Sequence, residues 1–160
     1  MSTLPTIKSK IVDISEIREL VSKWKSDGNS IVFTNGCFDV LHYGHVTYLA
    51  EASDLGDKMI IGLNSDASVR RLKGKTRPIN GQHERAVLLA ALQFVDAVVI
   101  FDEDTPENLI NIVGPDFLVK GGDYTIDTIV GANFVMSYGG KVITIPLVEN
   151  FSSSSIIKRF

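Results

Sequence analysis

Cysteine is nearly absent: Cys37 is the only one in 160 residues. That excludes an intramolecular disulfide framework and fits a reducing compartment. Long apolar runs are missing too. None approaches the roughly 18 residues that would read as a membrane span. The opening Met1-Ser2-Thr3-Leu4-Pro5 soon meets Lys8 and Lys10, with no apolar segment of signal-peptide length behind them. Nor is there an excess of charge. Sixteen basic residues against nineteen acidic ones leave a net −3, so no global field draws the chain to nucleic acid or anionic lipid. Any polyanion site must be a local pocket. No linker, internal repeat or low-complexity tract exceeds Ser152-Ser153-Ser154-Ser155. What is present is ordinary for a globule: 44% hydrophobic and 22% charged residues. A length of 160 residues predicts a single domain over 1–160 that buries roughly 68–70% of its extended-chain surface. The expected class is a cytoplasmic α/β domain with no membrane partner.

Strand and helix patterns alternate along the chain. The first dozen residues (1–12) read as a loose arm or an edge contact. Ile17, Leu20, Val21 and Trp24 then recur at helical spacing, a packing stripe that stops at Asp27-Gly28. Five short apolar runs follow as strands: Ile31-Val32-Phe33, Met59-Ile60-Ile61-Gly62-Leu63, Ala97-Val98-Val99-Ile100-Phe101, Phe117-Leu118-Val119 and Lys141-Val142-Ile143-Thr144-Ile145. Between them lie predicted helices near 44–53, around 86–92, from Thr105-Pro106 to Gly114, and over 126–138. The stretch from Asn64 to Gly81 reads as polar, and a last helix begins after the serine run. Right-handed crossovers build such an alternation into a Rossmann-like parallel five-stranded sheet flanked by helices. Ligands then bind at the carboxyl ends of strands where strand order reverses.

The chain places its odd residues there. Thr34-Asn35-Gly36-Cys37-Phe38-Asp39-Val40-Leu41-His42-Tyr43-Gly44-His45 joins the first of these strands to a helix and carries two histidines three residues apart. At i, i+3 on a first helical turn both rings can face one side. Gly44 removes a side chain between them, and the free N–H groups of a helix start favour an anion. A triphosphate suits this arrangement better than a metal, because two histidines and a lone cysteine do not complete a closed zinc site. Cys37 reads as a small packed residue rather than a nucleophile. Lys73-Gly74-Lys75, with Arg70 and Arg71, makes a local basic patch that fits either a solvated face or a phosphate contact.

Gly36-Cys37-Phe38-Asp39 followed by His42-Tyr43-Gly44-His45 resembles the signature of the cytidylyltransferase-like nucleotidyltransferases. The resemblance runs from about Ile31 to Phe160. It is nearest to the D-glycero-β-D-manno-heptose 1-phosphate adenylyltransferases through Asn64-Ser65-Asp66, Arg77-Pro78, His83-Glu84-Arg85, Glu103-Asp104-Thr105-Pro106, Lys120-Gly121-Gly122-Asp123-Tyr124 and the serine run. Two departures turn it away from cytidylyl and coenzyme-type relatives: Gln93 stands before Phe94-Val95-Asp96, and Ile157 is followed by Lys158 rather than arginine.

The resemblance implies a catalytic set of His42, His45 and Lys73. It implies nucleotide contacts from Thr34, Asn35, Gly36, Phe38, Gly44, Asn64, Ser152, Ser153 and Ser154. On the acceptor side it implies Asp39, Lys75, Arg85, Lys120, Asp123 and Tyr124, with Arg85 organising the site. ATP and a sugar 1-phosphate are the expected substrates. Mg²⁺ is expected with the ATP, held by phosphate oxygens without a protein ligand set. A homodimer or higher homo-oligomer is the expected assembly. Rival readings are a glycerol-3-phosphate cytidylyltransferase, which shares the phosphate site, and a non-catalytic nucleotide-binding module. Nucleic acid is a weaker candidate, because no aromatic–basic repeat accompanies the local cations.

Overall fold

Valine and isoleucine gather into six short runs, and each run is a strand. The computed structural model describes residues 2–159. In chain order the elements are α1 (Thr3–Lys8), β1 (Ile11–Val12), α2 (Ile14–Ser26), β2 (Ile31–Gly36), α3 (Tyr43–Ser53), β3 (Lys58–Asn64), α4 (Asp66–Lys73), α5 (Gln82–Ala90), β4 (Ala97–Phe101), α6 (Glu107–Val113), β5 (Phe117–Gly121), α7 (Ala132–Ser137), β6 (Lys141–Ile145) and α8 (Ser153–Ile157). All strand pairs are parallel, in the order β1-β4-β3-β2-β5-β6.

Period-two alternation divides the core. Ile31, Phe33, Ile60, Val99 and Leu118 point to one face, under Ile17 and Val21 of α2, Leu109, Ile110 and Val113 of α6, and Val135 of α7. Val32, Met59, Ile61, Val98 and Val119 point to the other, under Tyr48, Leu49 and Ala52 of α3 and Ala86, Leu89 and Ala90 of α5. Trp24 and Leu20 pack against the first cluster, as their helical spacing predicts. A capping box starts α2: Asp13 accepts from the Glu16 N–H at 2.8 Å, and Glu16 accepts from the Asp13 N–H at 2.8 Å. No helix among the described residues is long and apolar enough to cross a membrane.

Several boundaries differ from the sequence reading. The sheet has six strands rather than five. Ile11 and Val12 pair with Val98 and Val99, and the Val98 N–H donates to the Lys10 carbonyl at 2.8 Å. Two residues are too few to show a period, so residues 3–12 are the edge contact, not the loose arm. The polar stretch after β3 hides α4, capped by Ser65, whose hydroxyl accepts from the Ser68 N–H at 3.0 Å. Thr105 makes no cap; Pro106 occupies the cap position of α6. The predicted 126–138 helix is a 3-10 turn over Ile126–Thr128 and then α7, separated by Gly131 in the left-handed region at φ +83°. The last helix starts inside the serine run, at Ser153.

The chain leaves β2 toward β3 and β4 on one side, and later returns to place β5 and β6 on the other. Strand order reverses between β2 and β5, which opens a crevice at their carboxyl ends.

Candidate active site

Three adjoining chambers occupy that crevice. The first is lined by His42, Gly44, His45, Lys73, Leu147, Phe151 and Ser152–Ser154. The central one shares His45, Lys73, Leu147 and Ser153 with it, and adds Asn35 to Asp39, Tyr48, Arg77, Lys120, Gly121 and Tyr124. The third shares Asn35, Lys120 and Tyr124 with the central chamber and is closed by Pro106, Leu118, Thr128, Ile129 and Val130. Each measures about 180 to 220 Å³. That is below the roughly 300 Å³ of a typical small-molecule pocket, so a nucleotide-sized ligand must extend through more than one.

The first chamber is built on the start of α3. His42 is the N-cap, with its Nδ1 3.4 Å from the His45 backbone N–H, and its carbonyl accepts from the Val46 N–H at 3.1 Å. This turn brings the two imidazoles face to face, with centroids 3.8 Å apart and planes 21° from parallel. His42 Nε2 and His45 Nδ1 are buried without a hydrogen-bond partner in the protein. Buried polar nitrogens rarely stay unpaired in a folded protein, so these two mark a ligand position. Burial works against the charged form of both rings. Burial lowers the His42 pKa. Burial, then His42 and Lys73, lower His45 to about 4, against a weaker pull upward from the Val40 carbonyl.

Gly44 keeps the histidine face open. A Cβ there would lie 3.0 Å from Phe151 Cβ and 3.2 Å from two atoms of the His42 ring. Gly36 is needed for a comparable reason, since its Cβ would come within 2.9 Å of the Phe38 ring. Phe38 itself takes a left-handed φ of +44°, a conformation uncommon for a non-glycine residue. Ser152 caps α8 through its hydroxyl, which accepts from the Ser155 N–H at 3.0 Å, and Ser153 Oγ donates to the Val40 carbonyl at 3.2 Å. The C-terminal strap is thereby fastened to the strand–helix loop.

Positive charge dominates the central chamber. Lys73, Arg77 and Lys120 line it, and Asp39 is the one acidic side chain on its wall. Both Asp39 oxygens are occupied: one accepts from Arg77, the other from the backbone N–H groups of Ile79 at 2.6 Å and Asn80 at 3.2 Å. Asp39 therefore ties the 77–80 loop down. Burial raises the Cys37 thiol, with Lys73 and Arg85 pulling the other way. A thiol held up in this way is a poor nucleophile at neutral pH.

Most of the expected residues meet here. His42, Gly44, His45, Lys73 and Ser152 to Ser154 share the first chamber, and Asn35, Gly36, Phe38, Asp39, Lys120 and Tyr124 the central one. Five do not join them. Thr34 is buried in a hydrogen bond with the Tyr48 hydroxyl. Asn64 is buried against Ser68, at 3.0 Å. Lys75 and Asp123 are exposed and lie outside the linings of all three chambers. Arg85 is 1% exposed and lies beneath the site. Its guanidinium donates to the carbonyls of Cys37 at 2.7 Å, Asn64 at 2.8 Å and Asn80 at 3.0 Å, and pairs with Asp66 at 2.8 Å. It joins three segments and lines none of the chambers, so of the two roles expected for Arg85 the organising one fits this geometry and the acceptor contact does not.

Sequence reasoning missed Tyr48, Arg77, Leu147 and Phe151. Arg77 stood in the Arg77-Pro78 part of the resemblance without an assigned role. Phe151 stood at the head of the matched C-terminal run without a role of its own, and Leu147 carried no local signal, because only the fold brings it over the crevice.

Comparison with known proteins agrees with this geometry. The family profile described as Cytidylyltransferase-like matches residues 33–160. The bifunctional protein HldE of Koribacter versatilis is 51% identical over 157 residues, 98% of this chain and 32% of that protein. HldE of Mesorhizobium japonicum is 55% identical over 150 residues, 94% of this chain and 30% of that protein. The chain thus spans about a third of the curated relatives it matches. Among solved structures, the lipopolysaccharide core biosynthesis protein of Thermoplasma volcanium aligns with TM-score 0.61 and 28% identity, covering 78% of this chain and 100% of that one. Pantoate-beta-alanine ligase of Francisella tularensis shares the fold, with TM-score 0.62 at 15% identity over 94% of this chain and 78% of that one. The matched residues include the carboxyl ends of β2 and β5, between which the crevice opens, and both histidines at its mouth: the chain belongs to the cytidylyltransferase-like family.

Proposed function

We propose that this chain transfers the adenylyl group of ATP to D-glycero-β-D-manno-heptose 1-phosphate, giving ADP-heptose and pyrophosphate in the cytoplasm. The observation that carries the transferase reading is the stacked histidine pair, with two buried ring nitrogens left without partners beside Lys73. The heptose acceptor is supported by the Lys120-Gly121-Gly122-Asp123-Tyr124 stretch and by identity of 51% and 55% to bifunctional relatives.

A phosphate acceptor is already ionised near pH 7, so no general base is needed. One oxygen of the sugar phosphate bonds to the α-phosphorus as the bond from that phosphorus to the β-bridging oxygen breaks. The electron pair leaves with pyrophosphate. The chain's task is to hold two polyanions in line and to offset charge on the leaving group. The first chamber suits the leaving pyrophosphate. His42 Nδ1 faces a backbone N–H, which puts its proton on Nε2, the unpartnered nitrogen. Lys73 stands at the seam with the central chamber, and Ser152 to Ser154 line the first chamber with it.

The donors fit a magnesium ion carried by phosphate oxygens and water, since the one carboxylate on the central wall is occupied by Arg77 and two amides. Such an ion would neutralise phosphate charge. A homodimer or larger homo-oligomer is the assembly we expect, and sedimentation checks it.

The test is magnesium-dependent pyrophosphate release with ATP or CTP, each paired with heptose 1-phosphate or glycerol 3-phosphate, beside a His45→Ala variant. Turnover confined to ATP with heptose phosphate, and lost in the variant, is the expected result. Turnover only with CTP and glycerol phosphate overturns the substrate assignment.

A further inference from the structure

Arg77 engages one of its side-chain donors and leaves the others free. Its Nε donates to Asp39, while Nη1 and Nη2 have no hydrogen-bond partner among the described residues. The pair is unequally open: the Arg77 side chain is 14% exposed and the Asp39 side chain 1%. The open member is the cation, and it opens into the central chamber. Arg85 makes the contrast, because its donors all end on carbonyls or on Asp66 and it lines no chamber. A guanidinium is a rigid planar fork, so holding Nε also fixes the direction of the two Nη groups. The backbone around it is held as well. The Arg77 N–H donates to the Gly74 carbonyl at 3.1 Å, and the N–H groups of Ile79 and Asn80 donate to Asp39 at 2.6 and 3.2 Å. Asn80 Nδ2 adds a bond to the Asp39 carbonyl at 3.0 Å. The loop therefore presents a preset pair of donors that the fold itself does not use.

Their place in the crevice says what they meet. The first and third chambers share no lining residue, and the central one adjoins both. With the leaving pyrophosphate in the first, donor and acceptor meet in the central chamber. Of the three cations on its wall, Lys73 is shared with the first chamber and Lys120 with the third. Arg77 belongs to the central one alone, where the phosphorus changes partners. The α-phosphorus carries two non-bridging oxygens, a pair that matches two parallel N–H donors. Asp39 offsets the net charge of Arg77 but not the direction of its free N–H groups, so the fork acts through aimed hydrogen bonds.

We propose that Arg77 is a further catalytic residue, its free guanidinium edge binding the non-bridging oxygens of the phosphoryl group in transit, with Asp39 as the positioning residue that aims it. The bonds made and broken are those of the adenylyl transfer above. Arg77 forms none of them and gives up no proton. This rests on the reading of the reaction as nucleotidyl transfer.

Arg77→Ala removes the fork, and it also leaves Asp39 without its cation. Combining it with Asp39→Asn removes both charges, so the two proteins separate chemistry from folding. The measurements are kcat, KM for each substrate, melting temperature, and rescue by added guanidinium ion. In Arg77→Ala, kcat should fall about 100-fold to 1,000-fold, the cost of losing one preorganised transition-state donor. Each KM should rise by less than about tenfold, and the melting temperature should drop because a buried charge has lost its partner. The double variant should regain melting temperature but no turnover. Guanidinium should restore part of the kcat of Arg77→Ala, and potassium chloride at the same ionic strength should not. Arg77→Lys keeps the charge without the fork and should stay well below native kcat. An arginine that merely supports the fold gives a double variant whose turnover returns with its melting temperature. That result overturns the proposal, as does a kcat on which guanidinium and potassium chloride act alike. If the native chain turns over none of the acceptors, the reaction reading fails separately, and the fork is judged by ligand protection in thermal melts. AMP must then protect the native chain more than the double variant, with pyrophosphate protecting both alike. Equal protection by AMP overturns the proposal.

Discussion

Arg85 offers the sharpest way to separate scaffold from substrate contact. Its guanidinium is almost fully buried and makes four hydrogen bonds: to the carbonyls of Cys37, Asn64 and Asn80, and to the Asp66 carboxylate. Replacing it with methionine preserves bulk but leaves all four acceptors without that donor. Removing one partner of a buried charge pair costs about 3–5 kcal/mol. Asp66 keeps part of its exposure, at 29% of its side chain, so the lower half of that range applies, about 3–4 kcal/mol. Against a total stability of about 5–15 kcal/mol, the variant still folds, but with a melting temperature lower by about 10 °C. Because Cys37 and Asn80 belong to segments that wall the central chamber, kcat should fall with it, while Arg85→Lys recovers less than half of either loss. Thermal melts and steady-state kinetics with both substrates varied give the answer. A melting temperature within about 2 °C of native, combined with a raised KM for one substrate only, would refute the scaffold reasoning and return Arg85 to the substrate.

The remaining predictions concern the start of α3. His45 has a native pKa of about 4 against an ordinary 6.5, so between those values the unfolded chain takes up a proton that the native chain refuses. Its contribution is intact above about pH 6.5 and lost as pH falls toward 4. The urea midpoint of native protein should therefore drop more steeply across that window than that of His45→Asn, and equal slopes would refute the assignment. Gly44→Ala sets helix propensity against crowding. Alanine in a helix is favoured by about 1 kcal/mol, yet its Cβ meets Phe151 and the His42 ring at 3.0 and 3.2 Å. We expect no gain in the unfolding midpoint and weakened nucleotide affinity; a clear gain in both would show that the ring moves aside freely.

The sheet was largely legible because its strands are buried on both faces and read as unbroken apolar runs, such as Met59 to Leu63. The two-residue β1 was not, since its only signature is its pairing with Val98 and Val99. α4 escaped because its exposed face is Arg70, Arg71 and Lys73 and only Ser68 and Val69 are buried. The site divides in the same way. His42, Gly44 and His45 lie on one turn, so spacing alone predicts their company. The organising role of Arg85 came only through the resemblance, because three of its four partners are backbone carbonyls, and carbonyls carry no residue identity. Lys75 looked equivalent to Lys73 in sequence, but α4 ends between them at Gly74 with φ +102°, and the two side chains part.

Ser153 fastens the last helix to the Val40 carbonyl across 113 residues of chain. The apolar core reaches no further than Ile145 among the described residues, and α8 buries none of its own. During synthesis at about 5–20 residues per second, the sheet can therefore close about a second before Leu147, Phe151 and the serines arrive to wall the crevice. Folding and competence are separate events in this chain. Unfastening that strap leaves a sound globule whose reaction chamber lacks one side.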